Sequence, residues 1–325
     1  MAIQKFKALA DETRARIIGI LFNYELSVNE LVQILDMGQS RVSRHLKILA
    51  EAELLNFRRD GLWVFYTAPS SGRGREFLEA VMPFMPADET RRADLTLAAR
   101  LLEERARRTR QFFNAIADDW DDLNQEILGD FNLPGRVLEA MPRPCPVAVD
   151  LGCGTGEVAF EMLDRAGTVI GVDGSARMLE LCRGRLGSRT LADGRASLRI
   201  GELSHLPLAD QEANFACINL VLHHLAQPKE IFGEIQRILK PGGALFVSDF
   251  LRHTDETLRS RYGDHWLGFD CPEIEEAISE AGFEIVKKEI SPVGRDLRLF
   301  MITAKVPQIS RSFLTSEKIV KGRNQ

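Results

Sequence analysis

A glycine-rich loop near the middle of the chain is the clearest place for chemistry. Residues 147–151 form a mostly apolar, strand-like run, and three glycines then alternate over residues 152–156. Glycines let a backbone approach a ligand closely, because they lack a Cβ and adopt positive φ angles. Asp173 ends the next strand-like run, 21 residues after Gly152, where a carboxylate can accept hydrogen bonds from both ribose hydroxyls. The spacing predicts a nucleoside site.

A nicotinamide dinucleotide site would also have an acid at the position of Asp173. The spacing of the glycines in the loop therefore distinguishes a dinucleotide site from a site for a single nucleoside. The loop's G-x-G-x-G spacing over residues 152–156 differs from the G-x-G-x-x-G fingerprint of dinucleotide sites. We infer that no pyrophosphate is held there.

Strand-like and helix-like runs alternate from about residue 145 onward. The expected strands are residues 147–151, 169–172, 198–200, 215–220 and 244–249, with helices at 158–166, 177–186 and 231–239. A helix at 274–281 and a strand pair at 283–290 and 297–304 would close the sheet. This order predicts an α/β fold, a doubly wound sheet that binds ligands at the carboxyl ends of its strands.

The first ninety residues carry a different pattern. Ser27 and Glu30 fit a capping box ahead of apolar residues at helical spacing, residues 36–39 break that helix, and Ser40 opens a second one running to about residue 50. The short break predicts a helix-turn-helix.

The second helix has two distinct faces. Val42, Leu46 and Leu49 share one stripe, with His45 on the core side. The opposite stripe holds groups suited to a major groove, with flanking residues suited to phosphate: Ser40, Arg44 and Lys47, flanked by Arg41 and Ser43. We predict a DNA recognition helix.

A basic hairpin follows that helix. Residues 55–58 and 62–66 read as strands around an Asp60-Gly61 type I′ turn, with Arg58 and Arg59 at the tip. A hairpin of this kind can hold the DNA backbone beside the recognition helix, although a solvated hairpin with incidental arginines is the alternative.

These motifs resemble those of the ArsR-type winged-helix repressors over about residues 5–68. The similarity rests on residues 6–14, 42–49 and the wing. It implies a homodimer with recognition helices in successive major grooves, about 34 to 36 Å apart, on a double-stranded DNA operator. It also implies a repressor that a ligand releases.

Metal-sensing relatives carry cysteines where this chain has residues 25–31. Ser27 and Asn29 are poor soft-metal ligands, and no histidine lies between His45 and His205. We therefore expect no metal site and a different signal.

A long helix should connect the two halves. Residues 88–110 lack glycine and proline, with Leu95, Ala98, Ala99, Leu102 and Ala106 on one stripe. The resemblance implies that this helix helps to form the dimer. Its arginine cluster is either a solvated helix end or a contact to DNA or to the second domain.

Residues 111–305 resemble the class I S-adenosylmethionine-dependent methyltransferases. The similarity rests on residues 111–121, the glycine loop, and the runs at 201–208, 219–225 and 238–245. It implies that Asp150 and the loop glycines Gly152, Gly154 and Gly156 meet the methionine end of the cofactor, and that Asp173, with Gly174 beside it, holds the ribose. It further implies that Met178 packs on the adenine, Glu202 and Leu203 meet the adenine edge, Asn219 and Leu220 line the sulfonium region, and Trp120 closes a lid. Relatives usually have aspartate at the position of Glu202.

The acceptor side is less specific. No Asn-Pro-Pro-Tyr motif is present, and His223 and His224 are candidates for a catalytic base or for purely structural roles. His265 and Trp266 either line an acceptor pocket or brace it.

Composition fits two globular domains. The chain has 325 residues, a net charge of -5, and 45% hydrophobic and 27% charged residues. No apolar run is long enough for a membrane span and no secretory signal is readable, so we expect a cytoplasmic protein. Five scattered cysteines indicate reduced thiols.

We therefore expect an N-terminal winged helix-turn-helix and a C-terminal doubly wound, Rossmann-like methyltransferase domain. The expected divisions are residues 1–87, a connecting helix at 88–110, a ligand domain at 111–307 and a flexible tail at 308–325. A fusion of this kind resembles the SahR group, regulators of the methionine cycle that respond to S-adenosylhomocysteine. The hypotheses are a repressor that senses S-adenosylmethionine or S-adenosylhomocysteine, and an active small-molecule methyltransferase with an autoregulatory or dimerising winged helix.

Overall fold

The computed structural model describes residues 2–61, 63–85, 88–225 and 227–308, and its contacts divide the chain into two compact units. Unit 1 comprises Met1–Phe112, His224–Gln227 and Thr254–Leu267, and unit 2 comprises Phe113–His223, Pro228–His253 and Gly268–Gln325. Unit 1 thus includes two pieces from the second half of the sequence. Apart from residue 308, the expected tail lies outside the described residues.

Unit 1 is a helical domain with a small antiparallel sheet in the strand order β1-β3-β2. Its elements are α1 (Ala2–Leu9), α2 (Glu12–Leu21), β1 (Leu26–Ser27), α3 (Val28–Leu35), α4 (Gln39–Glu51), β2 (Asn56–Asp60), β3 (Trp63–Thr67), α5 (Gly72–Val81), a 3-10 helix at Met82–Phe84, and α6 (Glu89–Ile116), whose last residues belong to unit 2.

The predicted capping box starts α3. The Ser27 Oγ accepts a hydrogen bond from the Glu30 N–H at 3.3 Å, and the Glu30 carboxylate accepts one from the Ser27 N–H at 2.8 Å. Both donors would otherwise lack partners inside the helix, so the box fixes where the helix begins.

The hairpin differs from its prediction by a shift of the turn. Asp60 pairs with Trp63, so the first strand continues two residues beyond its predicted end, and Gly61 has a φ of 56°. Asp60 is therefore the last residue of β2, and it is 2% exposed rather than at an open tip. The reason is that Asp60 has partners distant in sequence, Arg259 and Leu267, which a local turn signal does not reveal.

Helix α6 extends six residues beyond the predicted end and buries a different face. Ala98 and Leu102 are buried as expected, whereas Ala99 is exposed. Asp94, Leu101 and Arg105 are also buried. The two charged residues are accommodated because Asp94 pairs with Arg16 at 2.8 Å and Arg105 pairs with Glu30. Arg105 thus lies inside unit 1 and is not part of a solvated helix end.

Unit 2 is built on a seven-stranded sheet in the order β6-β5-β4-β7-β8-β10-β9. Its strands are β4 (Cys145–Leu151), β5 (Ala166–Asp173), β6 (Ala196–Ile200), β7 (Ala213–Asn219), β8 (Leu239–Phe250), β9 (Glu284–Pro292) and β10 (Arg298–Lys305). Its helices are α7 (Trp120–Leu128), α8 (Leu133–Ala140), α9 (Glu157–Met162), α10 (Ala176–Leu186), α11 (Ser188–Ala192), α12 (Ile231–Ile238) and α14 (Cys271–Glu280), while α13 (Thr257–Arg261) lies in unit 1.

The sheet confirms the predicted doubly wound fold. Strands β4 to β8 pair in parallel, and β9 and β10 form the expected antiparallel closing pair. The chain leaves β4 for β5 on one side and later returns to β7 on the other, which makes the carboxyl ends of β4 and β7 the point where a cleft for a ligand opens. The predicted helix at 158–166 is shorter, because residue 166 already belongs to β5. None of the helices in the described ranges is long and apolar enough to span a bilayer.

Candidate functional site

The glycine loop connects β4 to α9 and is tied to Asp173. Its glycines Gly152, Gly154 and Gly156 have φ angles of 70°, 51° and 85°. The Gly154 N–H donates to Asp173 Oδ2 at 2.9 Å, and the Ser175 N–H donates to Oδ1 at 2.8 Å. Each carboxylate oxygen keeps a further lone pair, so both can accept from a second donor.

Two of the loop glycines face side chains that leave little space. A Cβ on Gly156 would collide with the Cys182 Sγ on α10, and one on Gly152 would meet Val221. A side chain would therefore be strained at both positions, by its φ and by its neighbour. The glycines at these two positions are therefore required by neighbouring side chains, and the predicted approach to a ligand stays a prediction.

The two acids of the site lie in different surroundings. Asp150 is 3% exposed, and burial raises its pKa to about 7, although the Cys217 side chain and the Ala159 N–H oppose the rise. Burial also raises the pKa of Asp173, opposed by the N–H groups of Ser175, Gly154 and Gly174. Asp150 therefore changes its charge near neutral pH.

Helix α10 begins beside Asp173. Its N-cap Ser175 accepts from the Met178 N–H at 3.1 Å and donates to Asn114 Oδ1 at 2.7 Å. Met178 is 2% exposed on the first turn of this helix. Asn114 also accepts from the Arg177 N–H at 3.3 Å, so it fixes the turn between Asp173 and Met178. The sequence alone gave Asn114 no role, since only a long-range contact reveals it.

Trp120 begins α7 and lies against the glycine loop. A Cβ on Gly154 would be 3.6 Å from the Trp120 Nε1, and the indole meets Phe113 edge to face at 5.3 Å. The neighbouring Asp121 accepts from Thr155 of the loop at 2.6 Å and pairs with Arg185. The helix is thereby anchored over the loop.

Asn219 and Leu220 lie at the carboxyl end of β7. Asn219 Oδ1 accepts from the Ser248 Oγ at 2.8 Å, and Leu220 has a left-handed φ of 55°. Within the described ranges the buried Asn219 Nδ2 faces only a weak acceptor, the Cys217 thiol. A buried donor without a strong acceptor is costly, so this amide is suited to a polar ligand.

Glu202 and Leu203 follow β6 at the same edge of the sheet. Glu202 is exposed and Leu203 is half-buried. Their loop is linked to the rest of the site by the Gly201 N–H, which donates to the Asp173 carbonyl at 3.1 Å. This part of the site is more open than the glycine loop.

The donor set fits an adenosyl compound with an amino-acid end. The positive-φ glycines leave room for close approach, Asp173 offers two acceptors for ribose hydroxyls, and Asn219 offers a buried amide donor.

The two candidate histidines lie in different units. His223 Nδ1 lies 2.6 Å from Asp249 Oδ1, and both side chains are buried in unit 2. His224 belongs to unit 1, where its Nδ1 lies 3.3 Å from the Gly263 carbonyl. Each ring therefore has its own hydrogen-bonding partner.

Helix α4 presents the predicted basic face. Val42, Leu46 and Leu49 are fully buried. The residues predicted to contact DNA on this helix are all exposed: Ser40, Arg41, Ser43, Arg44 and Lys47. His45 is mostly covered, with its Nδ1 3.7 Å from Asp11. An exposed helix with two faces of this kind fits a DNA major groove.

The two wing arginines differ, which corrects the prediction for one of them. Arg59 is exposed. Arg58 donates to Glu25 at 2.9 Å, lies 3.6 Å from Asp60, and stacks over the Trp266 ring at 3.7 Å from its centroid. Its side chain is 15% exposed, so it belongs to the packing of unit 1 and not to an open phosphate-binding tip.

Fold and sites together define a protein with a winged-helix DNA-binding unit and a unit of methyltransferase fold. Comparison with known families agrees: residues 11–56 match the sequence model described as bacterial regulatory protein, arsR family, and residues 149–247 match that of a methyltransferase domain. One chain thus joins an ArsR-type helix-turn-helix to a Rossmann-like methyltransferase domain.

Relatives with curated names are similar to the second of these domains. A demethylmenaquinone methyltransferase of Symbiobacterium thermophilum is 27% identical over 64% of this chain and 85% of its own length. A ubiquinone/menaquinone biosynthesis C-methyltransferase of Acidiphilium cryptum is 30% identical over 46% of this chain and 61% of its own length, so the chain spans less than two thirds of that relative.

A solved structure of a differently described protein is similar in fold to this chain. The [4+2]-cyclase SpnF superposes with a TM-score of 0.53 and 18% identity, over 61% of this chain and 95% of that one. Likeness at this identity shows the fold alone.

Proposed function

We propose that the protein is a DNA-binding transcriptional regulator, a repressor, whose methyltransferase-fold unit senses S-adenosylhomocysteine or S-adenosylmethionine. The observation that carries the proposal is that a single chain holds both an exposed basic α4 and the loop joined to Asp173. In this proposal residues 1–87 bind DNA, 88–110 connect and dimerise, and 111–307 hold the ligand.

The ligand is recognised at both of its ends. Asp150 and the glycine loop face the methionine end, and Asp173 with Gly174 binds the ribose. The remaining contacts follow the same edge of the sheet: Met178 against the adenine, Glu202 and Leu203 at the adenine edge, Asn219 and Leu220 at the sulfur, and Trp120 above the loop. The support is that Asp173, Ser175 and Gly154 are already joined by hydrogen bonds of 2.8 and 2.9 Å, which reduces the ordering cost of binding.

The operator is double-stranded DNA, read by two copies of α4 in a homodimer. Ser40, Arg44 and Lys47 face base edges, while Arg41, Ser43 and Arg59 face phosphates. Their exposure supports this assignment.

The ligand acts by binding the operator-competent and operator-free conformations unequally. A coupling free energy of about 1–3 kcal/mol changes operator affinity roughly 5- to 150-fold. By its resemblance to the SahR group, the protein would regulate methionine-cycle genes.

Operator titrations test this function. A duplex selected from a random pool by the protein itself is titrated without ligand, with S-adenosylhomocysteine and with S-adenosylmethionine. We expect one ligand to shift the operator Kd. The matched control is Asp173→Ala, which should bind the duplex like the wild type and lose the ligand effect. An operator Kd that neither ligand moves at saturation contradicts the proposal.

A second candidate function is methyl transfer to a small molecule, and the buried His223 and Asp249 pair favours it. The cofactor would supply an electrophilic methyl group, and an acceptor whose proton must leave needs a base. Asp249, 2.6 Å from His223 Nδ1, would hold the imidazole so that its other ring nitrogen takes that proton.

Turnover separates the two candidates. Protein is incubated with methyl-labelled S-adenosylmethionine and cell extract, and the extract is searched for a labelled product. An active enzyme gives a specific product that His223→Asn loses while it retains ligand affinity. Tight ligand binding without any product supports the sensor alone.

A further inference from the structure

One segment of the second half of the sequence is built into the winged-helix unit. Residues 254–267 belong to unit 1, although β8 before them and α14 after them belong to unit 2. The segment leaves and returns at one place, because Leu251 pairs with Phe269 and the Phe269 N–H donates to the Phe250 carbonyl at 3.0 Å. We call residues 254–267 the wing brace.

The wing brace holds the end of β2 through a buried carboxylate. The Asp60 side chain has no exposed surface and is paired with Arg259. It also accepts from the Leu267 N–H at 3.1 Å and 3.3 Å, one distance to each oxygen. A buried charge is tolerated only with such partners, so the position of the wing depends on the brace.

Aromatic packing continues this contact. Trp266 is fully buried, meets Phe65 of β3 at 4.4 Å, and donates from its Nε1 to the Leu225 carbonyl at 2.7 Å. Gly61 is pressed so closely against the brace that a Cβ there would collide with Glu256. Trp266 therefore braces the wing, and the alternative role of lining an acceptor pocket is not needed to explain its position.

The brace is continuous with the edge of the sheet that carries the proposed ligand site. Ser248 and Asp249 of β8 hold Asn219 and His223 by contacts of 2.8 and 2.6 Å, and the brace begins five residues after Asp249. A shift of this strand end on ligand binding would be carried by the chain itself.

We propose that the wing brace is the link through which ligand occupancy controls the DNA-binding wing, with Asp60 and Arg259 as positioning residues. The proposal rests on the proposed function. It adds that the wing of this protein is completed by a segment from the methyltransferase half, so the two activities cannot be separated by cutting at residue 112.

The test uses full-length Asp60→Asn, Arg259→Met and the double variant, with Arg189→Gln as control because Arg189 forms an exposed pair with Asp193 on α11. Operator Kd is measured with and without saturating S-adenosylhomocysteine, and calorimetry gives the ligand Kd of each variant. The double variant removes both members of the Asp60–Arg259 pair, so neither of them is left as a buried charge without the other, as Asp60 is in Arg259→Met.

We expect all three brace variants to keep the wild-type ligand Kd. The ratio of the operator Kd with ligand to that without ligand should approach one in these variants. Arg189→Gln should keep the full change. Hydrogen exchange of β2 and β3 amides should respond to the ligand in the wild type and not in the brace variants.

Brace variants that retain the full ligand effect on operator Kd overturn the link and leave the proposed function intact. A wild type without any ligand effect overturns both. If all three variants lose ligand binding, the brace serves the ligand site itself and the link is refuted.

Discussion

Asp150 and Asp173 stand at the carboxyl ends of neighbouring strands but have different partners. The Asp150 carboxylate is 3.4 Å from the Cys217 Sγ, whereas Asp173 receives backbone N–H groups on both oxygens. Three backbone N–H groups offset the loss of water around Asp173, whereas one backbone N–H and the Cys217 thiol offset it around Asp150. Burial thus raises the pKa of Asp150 to about 7, so its charge changes near neutral pH.

The stability of the protein should reflect that charge. The pKa of Asp150 is raised from 3.8 to about 7 in the folded chain, so the protonated carboxyl is favoured by folding. Its stabilising contribution is complete below about pH 4 and is lost as pH rises through about 7, with a slope of up to about 1.4 kcal/mol per pH unit.

Urea unfolding of the wild type and of Asp150→Asn between pH 4 and 8 measures this contribution. We expect the variant to gain in stability relative to the wild type as pH rises. A difference between the two that stays constant with pH would show that the carboxyl has an ordinary pKa.

On α4, single residues should separate DNA binding from ligand binding. Arg44→Ala or Lys47→Ala should weaken operator binding by about 1–3 kcal/mol if the side chain reads a base, and should lower the salt slope by about 0.9 if it contacts a phosphate. Ligand affinity should not change, since both residues lie in unit 1. Fluorescence titration at several salt concentrations measures both quantities, and an unchanged operator Kd in both variants removes α4 from the DNA interface.

At the scale of elements, the wing is held from one side and exposed on the other. In β2, Arg58 points toward Glu25 and Trp266, and Arg59 is exposed. The alternation of side chains along a strand gives these two neighbours opposite roles.

Matched glutamine variants should show these roles. Arg58→Gln should lower the free energy of unfolding by about 1–3 kcal/mol, because Glu25 and the buried Asp60 each lose a charged partner. Arg59→Gln should unfold like the wild type and lose about 0.9 from the salt slope of operator binding. Thermal unfolding measures the stability of both variants, and salt titration measures the slope of their operator binding. Equal stabilities would contradict the inward placement of Arg58.

Elements with local signals were predictable from the sequence. Ser27 and Glu30 marked the start of α3, and the alternation of runs after residue 145 predicted the sheet and its closing strand pair. Features set by distant contacts were not. From the sequence, Asp60 is predicted to be a turn residue, because its contacts to Arg259 and Leu267 are long-range. The buried face of α6 includes Arg105 because Arg105 pairs with Glu30 of α3.

The same limit applied to the ligand site. The glycine loop and Asp173 were recognisable from spacing, because one tight turn and one strand length connect them. Asn114 was not assigned a role, since its bond to Ser175 joins residues 61 positions apart. Sequence analysis therefore found the site residues that lie on consecutive elements, and it missed a residue that is brought in by a long-range contact.

In the whole molecule, the most informative feature is that a segment from the second half of the sequence belongs to unit 1. Unit 1 includes Thr254–Leu267, and unit 2 provides β8 before this segment and α14 after it. In the proposed function a signal needs no separate linker, because the wing contacts a segment that lies between β8 and α14 in the sequence. Thermodynamic linkage then requires that DNA affect ligand binding as much as ligand affects DNA binding.

Ligand titrations with and without DNA measure the coupling between the two sites from the ligand side. Calorimetry gives the Kd of S-adenosylhomocysteine, and of S-adenosylmethionine, for the free protein and for the protein saturated with its selected duplex. We expect the Kd of the sensed ligand to differ between free and duplex-bound protein by the same factor, roughly 5 to 150, by which that ligand shifts the operator Kd. Equal ligand affinities with and without the duplex would contradict it.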